Sequence, residues 1–440
     1  MMFASIFRSL KFVRHLNLKV VRLYSVPKKK KPGTELAMDH FDQFYSTVYK
    51  DWPSIRLGLL CPHHYCAVAN TFCANKSPEH LFGDSDLFDM KTMYHLNLRE
   101  NPDAGPEEIE ELPEYNPPEE QMTHPDSLSD NENDSELVPC DQDEYMPATE
   151  FKNREFESDE CDEFYFPKIN YKAKLIRHGV IHFPEHWNIY YCFRGKFKRF
   201  PQPRVDVTGL LNYYLMDGAS ILPVLALDVQ KNEDVGDLCA SPGGKSLAIL
   251  FGLRFGQLVC NDASLSRVNK LKTVLNSYLP GTSEWSKKIL VSNLDVCDWR
   301  CFDAFDKILL DVPCTNDRLS VNKDTNNMFH QKRYTERMQV PKTQTSMLYH
   351  ALQALKPNGS LIYSTCSLSP IQNDGVVHMA LSKLSVETSL DFVVNDLSEA
   401  FFPLRKMFQF SDTCRYGQLV VPFLPLNYGP MYIAKITRTK

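Results

Sequence analysis

The chain has 440 residues, 43% of them apolar, enough for one large domain or two ordinary ones with a real core. No run approaches the roughly 18–20 apolar residues of a membrane-spanning helix, so the composition reads as a soluble protein. The net charge of −6 hides an asymmetry: residues 100–163 hold 24 Asp and Glu against Lys152 and Arg154, leaving +16 on the rest, and a basic body suits an anionic partner such as nucleic acid, or simply carries solvated surface lysines.

Residues 1–32 hold nine Lys and Arg and no Asp or Glu. Phe7, Leu10 and Val13 alternate with Arg8, Lys11 and Arg14, which predicts an amphipathic mitochondrial presequence rather than a secretory signal, with a basic RNA-binding arm as the alternative. Arg22, three residues before Ser25, has the spacing of a matrix-protease site. Residues 33–99, with "HFDQFYSTVYKDWPSIRLGLL", predict a helical N-terminal region. Cys61, Cys66 and Cys73, with His63 and His64, lack paired C-x-x-C units, so reduced thiols and no metal are expected there.

The acidic stretch, residues 100–163, is rich in Pro, Glu, Asp, Asn and Ser, and predicts a mostly disordered segment. Across residues 164–204 the character reverses. Lys168, Lys172, Lys174, Arg177, Arg194, Lys196, Lys198, Arg199 and Arg204 interleave with Phe183, Trp187, Tyr190, Tyr191, Phe193, Phe197 and Phe200. Such a segment can neutralise phosphates and stack bases, so it is expected to contact RNA. The plainer alternative is a hairpin whose rings face a core.

From residue 205 strands and helices alternate. "DVGDLC" (234–239), "QLVCND" (257–262), "KILVSN" (288–293), "DKILLDV" (306–312), "GSLIYST" (359–365) and "GPMYIAKI" (429–436) read as strands. "KSLAILFGL", "SRVNKLKTVLNSYL" and "TQTSMLYHALQALK" read as helices between them. This alternation predicts an α/β domain with a parallel sheet covered on both faces.

"DLCASPGGKS", Asp237 to Ser246, turns from the first of these strands into its helix, where doubly wound sheets hold a ligand. Gly243 and Gly244 are adjacent, so neither the P-loop nor the G-x-G-x-x-G spacing fits. The glycines let backbone approach a ligand, and the helix N-terminus favours an anionic group. Asp262, Asp295 and Asp311 stand at or just after successive strand ends, where acids can take ribose hydroxyls and amines of an adenosyl ligand.

"DLCASPGGK", "DVPCTNDR" and "YSTCSLSP", in that order, resemble the Sun (RsmB-like) family of RNA cytosine-5 methyltransferases over residues 205–440. "YYLMDGASILPVLAL" fits as well, and "WPSIR" and "YGPMY" point to the mitochondrial branch that acts on small-subunit ribosomal RNA. The resemblance implies a Rossmann-like class I fold and S-adenosylmethionine as cofactor. It matches Gly243, Gly244 and Lys245 to the cofactor loop, Asp262 to a ribose ligand, Arg267 to a cofactor contact and Asp295 to the adenine side. It also implies a matrix location and a helical-repeat partner of the mitochondrial transcription-termination-factor type. Three positions depart from the family: Ser241 for alanine, Asn316 for glycine and Val296 for glycine.

Cytosine C5 becomes nucleophilic only after a thiolate adds at C6, and a base must then remove the C5 proton. Cys314 and Cys366 follow neighbouring strands and are the candidates for this work, unless they are small buried residues. The resemblance makes Cys366 the attacking thiol and Cys314 the product-releasing one, with Asp311 at the cytosine N3 or N4 and Lys245 stabilising charge near the base. The competing reading from another class is a scaffold that binds RNA and a protein partner without catalysis.

Overall fold

The computed structural model describes residues 31–74, 76–82, 87–99, 109–111, 171–192 and 200–440. The expected presequence, most of the acidic stretch and the basic run at 193–199 lie outside the described residues. From the N-terminus come α1 (Gly33–Val48), α2 (Trp52–Leu60), β1 (Tyr65–Ala69), α3 (Pro78–Phe82), β2 (Leu87–Asp89), α4 (Met90–Leu98), β3 (Ile109–Glu111), β4 (Lys174–Arg177), β5 (Ile189–Cys192) and β6 (Tyr213–Asp217). The region up to α4 is mainly helical, but it also supplies two strands: β2, β5, β1 and β6 form an antiparallel sheet in that order. β3 lies inside the acidic stretch and pairs antiparallel with β4, so that stretch holds at least one ordered piece.

The aromatic part of segment 164–204 requires a correction. Trp187, Tyr190 and Tyr191 are buried, and Phe183 packs against the same core. The Trp187 indole donates to the Ala248 carbonyl at 2.9 Å, and the Tyr191 hydroxyl to the Gly218 carbonyl at 2.7 Å. Rings held in this way cannot stack on bases; β5 is buried on both faces, so Tyr190 and Tyr191, which point to opposite sides, enter different core clusters. Of the cations in this segment that the structure describes, Lys172, Lys174 and Arg204 are exposed.

The remaining elements are α5 (Leu222–Leu227), β7 (Glu233–Asp237), α6 (Gly244–Gly252), β8 (Phe255–Asn261), α7 (Leu265–Tyr278), β9 (Ile289–Ser292), β10 (Phe305–Asp311), α8 (Asp317–Asn322), α9 (Tyr334–Gln353), β11 (Leu355–Thr365), α10 (Val376–Glu387), β12 (Phe392–Asp396), β13 (Phe410–Ser411), β14 (Gln418–Val420) and β15 (Met431–Arg438). Together with β3 and β4 these strands form one sheet, ordered β3-β4-β12-β15-β11-β10-β7-β8-β9, with β14 and β13 attached at β15. β11, β10, β7, β8 and β9 are mutually parallel, as the alternation predicts. β15 instead runs antiparallel between β11 and β12. α9 begins nine residues before the predicted start, and Pro341 lies in its interior. The buried Arg333 guanidinium, paired with Glu336 at 2.6 Å, holds its first turn.

Both sheet faces are covered, so the central strands are apolar on both sides. Ile308 and Leu310 of β10, with Leu361 and Tyr363 of β11, pack on the face of α1, α2, α9 and α10. Leu309 and Ile362 pack on the other, with α5, α6 and α7. The chain steps outward from β7 through β8 to β9 and returns to β10 on the opposite flank of β7. That reversal leaves a crevice between the carboxyl ends of β7 and β10.

One buried charge interrupts this core. Lys435 of β15 is 3% exposed; its ammonium donates to the Ala226 carbonyl at 2.9 Å and lies 3.3 Å from His178 Nε2. Burial, with Lys307 nearby, pushes the amine down to about 7 despite Asp228 and Glu233. Between that value and the ordinary 10.5 the unfolded chain binds a proton that the folded chain lacks, so this group makes stability rise with pH above 7. The melting temperature of the wild type, minus that of Lys435→Met, is therefore expected to grow from pH 7 to pH 9 by a few degrees, roughly, by calorimetry. A constant difference would refute the buried-amine account.

Candidate active site

The crevice holds a cavity of about 140 Å³. Its walls include Asp237, Ser241, Gly244, Lys245 and Arg267 on one side, and Asp311, Cys314, Asn316 and Cys366 on the other, with Met216 and Met431. Six residues singled out from the sequence therefore meet here: Gly244, Lys245, Arg267, Asp311, Cys314 and Cys366.

The loop from β7 to α6 builds one wall. Gly243 has φ +125°, a conformation for which L side chains are poorly suited, and an added Cβ would press on Leu271 and Val274 at 3.2 Å. The chain can thus turn tightly and start α6 with its N-terminus at the cavity. Asp262 lies one layer behind the wall, buried. Its carboxylate accepts from the Ser241 and Ser264 amides at 3.2 and 3.1 Å, and from Arg267 Nε at 3.1 Å. Arg267 also donates to the Ser241 carbonyl at 2.8 Å, so this ion pair fixes the loop from behind.

Asp295 does not reach the cavity lining. Its Oδ1 accepts from the Cys297 amide at 2.9 Å and caps a short turn after β9. Sequence reasoning missed Asp237, although it too is an acid at a strand end, the same signal that singled out Asp262 and Asp311. It is buried at the cavity floor and accepts from the Ser246 hydroxyl at 2.6 Å. Burial pushes its carboxyl up to about 7, so a cationic ligand in the cavity would favour its ionised form.

The opposite wall carries two thiols. Cys314 follows β10, Cys366 follows β11, and these strands are adjacent. Their Sγ atoms lie 2.9 Å apart as free thiols. The Cys314 hydrogen bond and burial push the Cys366 thiol well up, with Asp311 adding to the rise and the Lys245 ammonium opposing it. Lys245 Nζ donates to Asp311 Oδ2 at 2.7 Å, and the Ser364 hydroxyl donates to Oδ1 at 2.6 Å. A carboxylate, an ammonium and two thiols thus share one end of the cavity. Such a set can place a planar base, polarise it and attack it.

A profile of the family described as "16S rRNA methyltransferase RsmB/F" matches residues 224–436. The "5-cytosine rRNA methyltransferase nsun-4" of Caenorhabditis elegans is 34% identical, over 97% of this chain and 97% of that one. The chain belongs to this family of RNA cytosine-5 methyltransferases. A mitochondrial tRNA (cytosine(34)-C(5))-methyltransferase of Mus musculus is 36% identical over 60% of this chain and 74% of that one. The structure of NSun6 from Pyrococcus horikoshii with SFG aligns with TM-score 0.44 and 15% identity, over 92% of this chain and 98% of that one. As a member of the RsmB/F family the protein uses S-adenosylmethionine, and its likeness to mitochondrial members places it in mitochondria.

Each departure from the RsmB/F pattern has a local explanation here. The Ser241 hydroxyl donates to the Arg267 carbonyl at 3.0 Å, adding a tie to the ion pair behind the loop. Asn316 has φ +45°, which asparagine tolerates better than most residues, and its side chain caps α8 by accepting from the Leu319 amide at 3.2 Å. Val296 is 2% exposed and fills the core beside Phe305.

Proposed function

We propose that this enzyme methylates C5 of a cytosine in mitochondrial small-subunit ribosomal RNA in the matrix, with Cys366 as nucleophile and Cys314 as the cysteine of product release. The observation that carries the two-thiol reading is the 2.9 Å approach of the two Sγ atoms beside the Lys245–Asp311 pair. The cofactor is held at the cavity by Gly244, Lys245, the Asp237 carboxylate and Arg267, with Gly243 shaping the loop and Asp262 bracing it from behind. Acidic groups on that wall suit a ligand bearing a sulfonium and an ammonium, and S-adenosylmethionine supplies the methyl group to be transferred.

The chain's own residues do the rest. Cys366 Sγ, once deprotonated, bonds to C6 of the cytosine, which turns C5 into an enamine carbon. Asp311 accepts from the base's N4 amine, and Lys245 offsets the charge that develops on the ring. After C5 has gained its methyl group, Cys314 Sγ, its own proton first released to solvent, takes the C5 proton. The C6–Sγ bond then breaks, the ring regains aromaticity and Cys366 leaves as thiolate. A base in a helix must first leave the stack to reach this cavity.

Ribosomal RNA is favoured over transfer RNA because the ribosomal relative matches nearly the whole chain, N-terminal region included, whereas the transfer RNA relative matches 60% of it. A helical-repeat partner of the transcription-termination-factor type would supply added RNA affinity. The scaffold alternative is disfavoured by the intact thiols, glycine pair and acids around one cavity. Bisulfite sequencing of mitochondrial RNA, with and without the protein, tests the assignment. Loss of one methylated cytosine in small-subunit ribosomal RNA is expected. Loss in a transfer RNA instead would move the substrate, and no loss in either would overturn the enzyme reading.

A further inference from the structure

One carboxylate touches the chain on both sides of the thiol pair. Asp317 is fully buried. Its Oδ1 accepts from the Thr315 hydroxyl at 2.7 Å, and both its oxygens lie within reach of the Ser367 hydroxyl, at 3.2 and 3.1 Å. Its Oδ2 also accepts from the Leu368 amide at 2.6 Å and from the Tyr45 hydroxyl of α1 at 2.8 Å. Thr315 follows Cys314 and Ser367 follows Cys366, so the residue after each thiol donates to the same group. The Asp317 amide completes the link by donating to the Cys366 carbonyl at 3.4 Å.

From this geometry we propose that Asp317 is a positioning residue that sets the spacing of the two thiols, and that its main effect falls on product release. The proposal rests on the two-thiol reading above. Attack at C6 needs one thiol in place. Removal of the C5 proton while Sγ is still bonded to C6 needs two, held in register on adjacent ring atoms. A group bonded to both loops governs that register: the Thr315 and Ser367 hydroxyls also meet each other at 3.1 Å, and Asp317 is the acceptor on which both converge, whereas Gln344 bonds the Pro313 carbonyl at 2.8 Å and Asn373 the Ser367 carbonyl at 2.9 Å, each on one loop. Burial raises the Asp317 carboxyl above its ordinary range, and four donors oppose that rise, so the site is built for a carboxylate that accepts only. Asparagine there either points an N–H₂ at the Leu368 amide, which can only donate, or turns it to the Thr315 hydroxyl and gives up that hydroxyl's donation.

The test uses the full chain and in vitro-transcribed mitochondrial small-subunit ribosomal RNA, and reads turnover, cofactor affinity, melting temperature and RNA bound through denaturing electrophoresis. Asp317→Asn is expected to lower kcat by about 10-fold or more, to raise the covalently bound RNA fraction by a similar factor, and to leave cofactor affinity within about 3-fold. Tyr45→Phe and Ser367→Ala, which each remove one donor, should shift the bound fraction the same way by less. The bound band should vanish in Asp317→Asn/Cys366→Ala. Wild-type kinetics, or loss of turnover with no gain in bound RNA, would overturn the proposal. If Asp317→Asn does not fold, an unchanged bound fraction in both milder variants overturns it equally. Cys314→Ser is the control: RNA trapped by it but not by Asp317→Asn sinks only the positioning role, while no trapping by Cys314→Ser sinks the two-thiol reading itself.

Discussion

Cys366→Ala is expected to abolish methyl transfer while cofactor affinity stays within about 3-fold of wild type, as isothermal titration would show. The thiol lines one end of the cavity, and the groups proposed to hold the cofactor lie on the β7–α6 loop and at Arg267. Removing Sγ also removes the hydrogen bond with Cys314. It leaves only a small gap in a partly exposed wall, so stability should fall by about 1 kcal/mol or less. The loss of rate must therefore come from chemistry. Without a nucleophile at C6 the ring carbon at C5 has no enamine character, and the residual rate should be at least about 10⁴-fold lower. Turnover near the wild-type value would sink the assignment of the nucleophile.

Cys314→Ser should give the opposite signature. Attack and methyl transfer remain possible, the second step stalls, and RNA stays attached to the protein through denaturing electrophoresis. Serine keeps the shape of the loop, including the Thr315 bond to Asp317. Its hydroxyl is a far weaker base partner than a thiolate at neutral pH. Bound RNA should rise from a trace to roughly the amount of active enzyme, and Cys314→Ser/Cys366→Ala should show none. Were Cys314 the attacker, the two single variants would exchange behaviours, so the pair of gels distinguishes the two roles.

Much of the methyltransferase half could be read from the sequence because its cues are local. Apolar runs such as "DKILLDV" end in acids or cysteines at the sheet edge, and the glycine pair marks the turn. Proximity of Cys314 and Cys366 followed from strand adjacency alone. Features that depend on remote chain were not legible. The antiparallel placement of β15 is set by packing between β11 and β12, and nothing within "MYIAKITR" specifies it. The rings of β5 read alike whether they face a core or a nucleic acid; their burial follows from remote chain packed on both faces of the strand, the cluster with Tyr94 and Tyr428 around Tyr191 and the one with Leu81 and Phe82 around Tyr190. Asp317 looked like one more acid in a loop, and only the fold reveals four donors converging on it. Asp295 had the spacing of the other strand-end acids, and only the fold shows that its Oδ1 also caps a short turn.

The bonds of α1 and α2 to the thiol loops bear on how the enzyme comes into being. Tyr45 reaches Asp317 across 272 positions of sequence and Tyr49 reaches the Leu368 carbonyl across 319. The buried Arg318 guanidinium donates to the carbonyls of Gly58, Cys61 and Gly429 and so joins α2 to the chain just ahead of β15. A polypeptide made or translocated from its N-terminus holds Phe41 and Tyr45 without their distant partners until the chain from Asp317 through Phe329 has arrived, 272 or more residues later. Contacts of such span make for slow, late closure and expose the nascent protein to aggregation while it waits. A product stopped short of Tyr428 would keep the glycine pair and both thiols and still lack β15, the strand between β11 and β12, and the Gly429 carbonyl that Arg318 binds, so premature termination near the C-terminus is expected to cost the fold that assembles them.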